Sequence, residues 1–209
     1  KAKTLYRVVR DRTQRLFYDP RRFWTRFGRT YRQRFPPRRE RCESLIVGLL
    51  REAGVASALD VGCGYGRYLR AIREALPQAR LCGVDISPTQ IAEARDYLRN
   101  APDIELKVAS ATALPLPDRS FEALLTYGLM IHLRMDEVAA FLEEAKRVCG
   151  KWGLFLESCA NPDRPYLNPP YYFAHPYEEI FPRHGIALVR RIPVDESVRE
   201  YLYLTRLGN

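Results

Sequence analysis

Ala58-Leu59-Asp60-Val61-Gly62-Cys63-Gly64-Tyr65-Gly66 is the stretch that decides the fold. A short apolar run ends in an acid and then breaks into three glycines spaced two apart. The next segment, Arg67 to Ala75, has helix-forming composition. The order is strand, tight glycine loop, helix N-terminus. Glycine is needed where the backbone takes positive φ or must approach a ligand closely. The helix start beyond it offers unpaired N–H groups. Together these make a cradle for a small polar ligand above the end of a parallel strand. The spacing is G-x-G-x-G, not the G-x-G-x-x-G of the dinucleotide fingerprint. An ordinary strand-to-helix turn without a ligand is the plain alternative.

Downstream of this stretch, strands and helices alternate. Strands are expected at Ala58–Val61, about Arg80–Val84, Glu105–Ala109, Phe121–Thr126 and Gly153–Glu157. Helices are expected after Gly66, from Ser87-Pro88 to about Arg99, and from about Asp136 to Val148. Such βαβ repetition implies a parallel, doubly wound sheet. Pro176 opens a short helix that Gly185 ends. Ile186–Ile192 and Arg199–Thr205 then read as two strands joined so closely that they must pair antiparallel. Asp85 falls at the end of the second strand, where a carboxylate can accept hydrogen bonds from both hydroxyls of a ribose. Its plainer role is a turn or helix-capping residue.

Upstream, a helix is expected over Thr4–Tyr18. Asp19-Pro20 signals the start of a second, an acidic cap followed by proline at the first helical position. Phe23, Phe27, Tyr31 and Phe35 recur every four residues along it, with Trp24 beside them. Pro36-Pro37 stops it. A third helix runs roughly from Arg38 to Ala53 and Gly54 ends it. The organisation is thus a basic helical extension over residues 1–53 and an α/β domain over 54–209.

The chain has 209 residues, 46% hydrophobic and 28% charged, which suits one compact domain with an appendage. Its net charge of +9 is an uneven average. Residues 1–41 hold 13 Arg and 2 Lys against three acids, a net +12, and the remainder is slightly acidic. No apolar run approaches the roughly 20 residues of a membrane span, and no secretory segment is visible. The sequence opens on Lys1, not Met, which leaves its natural start open. Five dispersed cysteines without a C-x-x-C pair argue for reduced thiols in a cytoplasmic setting and against a zinc site. Three histidines make a His-rich metal site a poor reading, and no metal is expected.

These motifs together resemble the class I S-adenosylmethionine-dependent methyltransferases. The resemblance rests on Leu59 to Gly66, on Gly83-Val84-Asp85-Ile86-Ser87, and on Leu114-Pro115-Leu116-Pro117-Asp118-Arg119-Ser120-Phe121-Glu122. Ile131-His132-Leu133, Ala145-Lys146-Arg147-Val148 and Gly153 extend it over about residues 45–206. It implies a Rossmann-like seven-stranded sheet with a C-terminal antiparallel hairpin and S-adenosyl-L-methionine as cofactor, released as S-adenosyl-L-homocysteine. Carried over, it places Asp60, Gly62, Cys63 and Gly64 beside the methionine part of the cofactor. Asp85 would hold the ribose, Ile86 would pack on adenine, and Ser110 and Ala111 would edge it. Many relatives have an acid where Ser110 stands. Tyr127 would lie near the methionine moiety.

Methyl transfer from a sulfonium needs chiefly a positioned acceptor and a dry site, because the cofactor already carries a good leaving group. A hydroxyl or protonated amine acceptor also needs a base. His132, Glu157 and His175 are the candidates at the strand ends. Each has a bland reading: an architectural histidine, an ion-paired glutamate and a helix-start residue. Tyr166, Tyr171, Tyr172 and Tyr177 suggest a substrate-facing lid in a Pro- and Tyr-rich loop over 159–175, or simply a packed loop. Asn168-Pro169-Pro170-Tyr171 matches the N-P-P-Y signature of methyltransferases acting on planar amino groups. In those it follows strand four; here it falls after strand five, so it reads as a coincidence of loop sequence.

The Arg-rich N-terminus could track a phosphate backbone. It could equally cap the active site, its aromatic stripe packed on the sheet domain or on the second subunit of a homodimer. Arg outnumbers Lys 29 to 5 throughout, so the arginines also reflect general residue usage. The regular aromatic spacing favours packing. The expected function is methyl transfer to an oxygen or nitrogen of a small-molecule acceptor, with nucleic acid a possible but not favoured partner and no membrane partner. An RNA methyltransferase, a non-catalytic cofactor-binding protein and a nicotinamide enzyme are the competing readings.

Overall fold

The computed structural model describes residues 18–34, 40–158, 171–173, 175–195 and 199–208. The helix expected over Thr4–Tyr18 and most of the 159–175 loop, including Tyr166, lie outside the described residues. Two N-terminal helices, α1 (Pro20–Arg34) and α2 (Glu40–Glu52), precede β1 (Ser57–Val61) and α3 (Arg67–Ala75). Then come β2 (Arg80–Asp85), α4 (Pro88–Tyr97), β3 (Glu105–Val108) and β4 (Phe121–Tyr127). A single 3-10 turn, Met130–His132, leads into α5 (Met135–Val148) and β5 (Cys149–Ser158). The chain closes with α6 (Tyr177–Arg183), β6 (Ala187–Asp195) and β7 (Glu200–Arg206).

The seven strands form one sheet in the order β3-β2-β1-β4-β5-β7-β6. The first five are parallel, and β7 is antiparallel to both β5 and β6. The order reverses between β1 and β4, and β1 leads directly into the glycine loop. In open sheets of this kind a ligand crevice forms at that switch point. The expected elements that fall among the described residues are present, with small shifts at their ends. Strand five is the largest, starting at Cys149 instead of Gly153, because β5 runs straight out of α5 without a loop.

Helices cover both faces, so the central strands are apolar on both sides. Leu59, Leu124 and Phe155 turn toward α5 and α6, where Phe141, Leu142 and Phe181 pack on them. Ala58, Leu125, Leu154 and Leu156 turn the other way, toward Ile46 and Leu50 of α2 and Leu69 of α3. Tyr177 belongs to this core and not to a lid. It is buried against Phe181 and Tyr203, because α6 begins at that residue and turns it inward.

The Leu114–Asp118 segment is held by one arginine. Arg147, at the end of α5, donates to the carbonyls of Leu114 and Leu116 at 2.9 and 2.8 Å and to Asp118 at 2.8 Å. Glu144 fixes the guanidinium in return, at 2.7 and 2.9 Å. That arrangement fixes the loop that enters β4.

Helix α1 starts as expected: the Asp19 carboxylate accepts from the Arg22 N–H at 3.0 Å. It packs across the start of α4 at Gly28. A Cβ there would stand 2.7 Å from Thr89 Oγ1, so a larger residue must displace that side chain or the helix. The Thr89 hydroxyl donates to the Thr25 carbonyl at 2.7 Å. Farther along, Arg32 reaches Asp96 at 3.1 Å and lies over the Tyr97 ring.

Candidate active site

The glycine loop is fastened to β2. Gly62 and Cys63 both donate to the Val84 carbonyl, at 2.7 and 3.0 Å. Gly62, Gly64 and Gly66 have φ of +75°, +55° and +84°, the left-handed region that favours glycine. Gly64 N–H donates to one Asp85 oxygen at 3.0 Å, and Ser87 N–H donates to the other at 2.8 Å. Each Asp85 oxygen thereby keeps a lone pair for another donor. Burial raises the Asp85 pKa to about 6, partly offset by those two amides.

A cavity of about 210 Å³ opens above this loop. It is lined by the C-terminal ends of the parallel strands: Val61 and Gly62, Asp85 and Ile86, Ser110 to Thr112, Tyr127 and Gly128, and Ser158. Ser110 Oγ lies 2.8 Å from Thr112 Oγ1 and accepts the Thr112 amide, which closes a tight turn at the rim. Of the residues expected at the cofactor, Gly62, Gly64, Asp85, Ile86, Ser110, Ala111 and Tyr127 line the cavity. Cys63 and Asp60 do not. Cys63 turns its sulfur into the core beside Gly83, where an added Cβ would lie 2.9 Å away. Asp60 sits beneath the loop, 2% exposed, and its Oδ2 has no partner within the protein. Burial, and then the charge of Asp85, push its pKa up to about 8, with Arg67 opposing.

Helix α1 supplies one wall through Pro20, Trp24, Phe27 and Tyr31, of which Tyr31 reaches over the glycine loop, 3.7 Å from where a Cβ at Gly64 would stand. The four residues recur at +4, +3 and +4, the true period of one helix face. The strict +4 series read from the sequence spirals off that face, so Phe23 packs on Tyr171 outside the cavity lining, ring centroids 4.5 Å apart. Trp24 meets the His132 ring at 4.8 Å. Tyr171 and Tyr172 also line the cavity.

The three candidate bases separate. His132 lines the cavity. Its Nδ1 lies 2.9 Å from the Tyr171 carbonyl and must donate to it, which leaves Nε2 as the accepting nitrogen. Burial lowers its pKa to about 4. Glu157 does not line the cavity. It is fully buried and its carboxylate is taken up by the Thr126 hydroxyl and the amides of Leu129, Met130 and Ile131, at 2.9 to 3.3 Å. Burial raises its pKa to about 7, against those four donors. Glu157 is an anchor for the turn that presents His132, not a base facing the cavity. His175 is likewise outside the lining: its Nε2 lies 2.8 Å from the Leu133 carbonyl.

The sequence pointed to Trp24, Phe27 and Tyr31 only as packing residues, and it did not single out Gln90. Gln90 stands on the first turn of α4, lines the cavity, and leaves its Oε1 without a protein partner. Its signal was the Ser87-Pro88 cap, which orients that turn; the Gln90 amide donates to Ser87 Oγ at 3.2 Å. Glu137 also lines the cavity, from the start of α5. Among the described residues no group of His, Cys, Asp and Glu could hold a metal ion.

Residues 58–153 match the family model described as "Methyltransferase domain". The malonyl-[acyl-carrier protein] O-methyltransferase of Hahella chejuensis is 35% identical over 111 residues, 53% of this chain and 39% of its own. The demethylmenaquinone methyltransferase of Tropheryma whipplei is 31% identical over 167 residues, 79% of this chain and 62% of its own. The chain therefore spans less than two thirds of the length of these curated relatives. A solved S-adenosylmethionine-dependent methyltransferase from Aquifex aeolicus superposes with a TM-score of 0.64 at 20% identity, covering 94% of this chain and 98% of that one. Residues 58–153 thus match a methyltransferase domain, and the chain is similar in sequence and fold to S-adenosylmethionine-dependent methyltransferases.

Proposed function

We propose that the protein transfers a methyl group from S-adenosylmethionine to an oxygen or nitrogen of a small-molecule acceptor. The carrying observation is one cavity with two unlike ends. At one end are the glycine loop, Asp85 with a spare lone pair on each oxygen, and apolar Ile86 and Ala111. At the other are the rings of Trp24, His132, Tyr171 and Tyr172.

The residues fit this cofactor. Asp85 would hold the ribose hydroxyls, Ile86 and Ala111 would flank the adenine, and Ser110 and Thr112 would edge it. Gly62, Gly64 and Tyr127 would border the methionine part. Asp60 beneath the loop has an unpartnered buried oxygen, and no Lys or Arg is among the described residues lining the cavity. That balance suits a cationic sulfonium and ammonium and opposes the pyrophosphate of a nicotinamide dinucleotide. When bound, the cofactor supplies an electrophilic methyl group with sulfur as leaving group. The protein's part is to orient the acceptor, exclude water and receive a hydrogen bond at His132 Nε2.

Residues 1–53 act in this reading as a cap, and residues 54–209 as the methyltransferase domain. Supporting this, α1 lines the cavity and is tied to α4 through Gly28, Thr89 and Arg32. Arg32 is used within the protein, while Arg21, Arg22 and Arg26 of the same helix are exposed. By their names the Hahella and Tropheryma relatives act on malonyl-[acyl-carrier protein] and demethylmenaquinone, neither of them a nucleic acid. The test is transfer of labelled methyl from S-adenosylmethionine across a panel of small hydroxyl and amine acceptors and total RNA. Label in a small acceptor supports the proposal; label in RNA alone contradicts it.

A further inference from the structure

The acceptor end of the cavity is aromatic. Trp24 from α1, His132 from the 3-10 turn, and Tyr171 and Tyr172 meet there, with ring centroids 4.8 to 5.6 Å apart in successive pairs. The charged residues of the described lining are Asp85 and Glu137, both acids. Glu137 is paired with Arg134 at 3.5 Å and Asp85 lies at the glycine-loop end, so an anionic acceptor entering this space would be desolvated with no Lys or Arg in the described lining to bind it. An uncharged ring meets no such cost and gains edge-to-face contacts.

One polar direction is fixed in that wall. The Tyr171 carbonyl holds Nδ1–H of His132, so Nε2 carries the lone pair. The anchor behind it is equally fixed, because Glu157 gathers the amides of residues 129 to 131 that form the turn. We propose that the acceptor is an uncharged aromatic ring bearing an O–H or N–H, seated against Trp24, Tyr171 and Tyr172 and donating that hydrogen to His132 Nε2. This rests on the methyl-transfer reading above and makes His132 the residue that selects and orients the acceptor. Burial keeps the imidazole neutral, as an acceptor of a hydrogen bond requires.

Three probes of one shape test it: p-cresol, p-toluidine and p-toluate, with p-xylene as the ring without a donor. Calorimetric titration of the protein saturated with S-adenosylhomocysteine gives their affinities. The expected result is p-cresol or p-toluidine binding at least tenfold more tightly than p-toluate. Whichever of those two is favoured distinguishes an oxygen from a nitrogen acceptor. His132→Phe keeps a ring and removes the accepting nitrogen. It should weaken the donor-bearing probe about tenfold, the worth of one buried hydrogen bond, and leave p-xylene unchanged. Quenching of Trp24 fluorescence by the bound probe, lost in Trp24→Phe, places the ring; Trp152 lies apart, against Arg206. Equal or tighter binding of p-toluate overturns the proposal, as does binding of none of the probes to a protein that binds S-adenosylhomocysteine. If the His132→Phe protein does not fold, the probe ratio of the unaltered protein decides alone. Failure of S-adenosylhomocysteine itself to bind overturns the underlying reading, and this one with it.

Discussion

The ring of Trp24, on an N-terminal helix, stands edge-on to the ring of His132, on the turn after β4, with centroids 4.8 Å apart. They are far apart in sequence, and their contact makes the helical extension part of the cavity wall. Trp24→Ala removes most of that wall from α1. It should lower kcat/KM for the acceptor at least tenfold, while affinity for S-adenosylhomocysteine changes less than threefold. Steady-state kinetics beside calorimetry checks it. A loss confined to cofactor affinity would contradict the assignment of this end to the acceptor.

Gly28 sets how closely α1 lies on α4. A larger residue has two opposing effects. It improves helix propensity, worth about 1 kcal/mol for Ala over Gly. It also drives Cβ to 2.7 Å from Thr89 Oγ1. The second effect wins for Gly28→Val, whose branched side chain cannot retreat. The expected result is α1 lifted from α4, seen as faster proteolysis within residues 20–34, with the cofactor-binding domain still folded by circular dichroism.

Arg147 joins α5 to the loop that enters β4 through Asp118, Leu114 and Leu116. Arg147→Ala leaves two carbonyls and two carboxylates without this donor. Its partial exposure limits the cost, which is about 1–3 kcal/mol, in the range for losing a hydrogen-bond network. Urea denaturation should show a lower midpoint with an unchanged slope.

The pH dependence has two limbs of known sign. His132 has a folded pKa of about 4, below the ordinary value. As pH falls below about 6.5, the unfolded chain takes up a proton that the folded chain refuses, and stability is lost down to about pH 4. Asp85, Glu157 and Asp60 have folded pKa values raised to about 6, 7 and 8. Their contribution is fully present below about pH 4 and is lost as pH rises through those values. The ligand-free protein should therefore lose stability toward pH 9, and Asp60→Asn should flatten that alkaline limb. The two contributions oppose each other between about pH 4 and 6.5, so thermal melts from pH 5 to pH 9 on the unaltered protein, His132→Phe and Asp60→Asn separate them; an unchanged alkaline slope in Asp60→Asn contradicts the burial cost assigned to it.

The sheet was legible in the sequence because its signals are local. Asp60 to Gly66 shows a strand breaking into a glycine loop, Ser87-Pro88 a helix cap, and the short link after Ile192 an antiparallel pair. The cofactor end of the cavity follows from the same residues, since strand ends at the switch point must face it. The aromatic wall was harder to read. Trp24 and His132 come together only through the packing of α1 on α4, a contact that depends on Gly28 and leaves no periodic mark. Glu157 looked like a base at a strand end; only the fold reveals the three amides and the hydroxyl that occupy it. The same is true of Tyr177, which sits in a Tyr-rich run yet opens a helix that buries it.

The glycine loop and Asp85 are assigned as an S-adenosylmethionine site, and every other role rests on that assignment. Calorimetric titration with S-adenosylhomocysteine and with NAD, on the unaltered protein and on Asp85→Ala, tests it most directly. The predicted result is saturable one-to-one binding of S-adenosylhomocysteine, at least tenfold weaker in Asp85→Ala, and no binding of NAD. Binding of NAD without S-adenosylhomocysteine, or an Asp85→Ala protein of undiminished affinity, would contradict it.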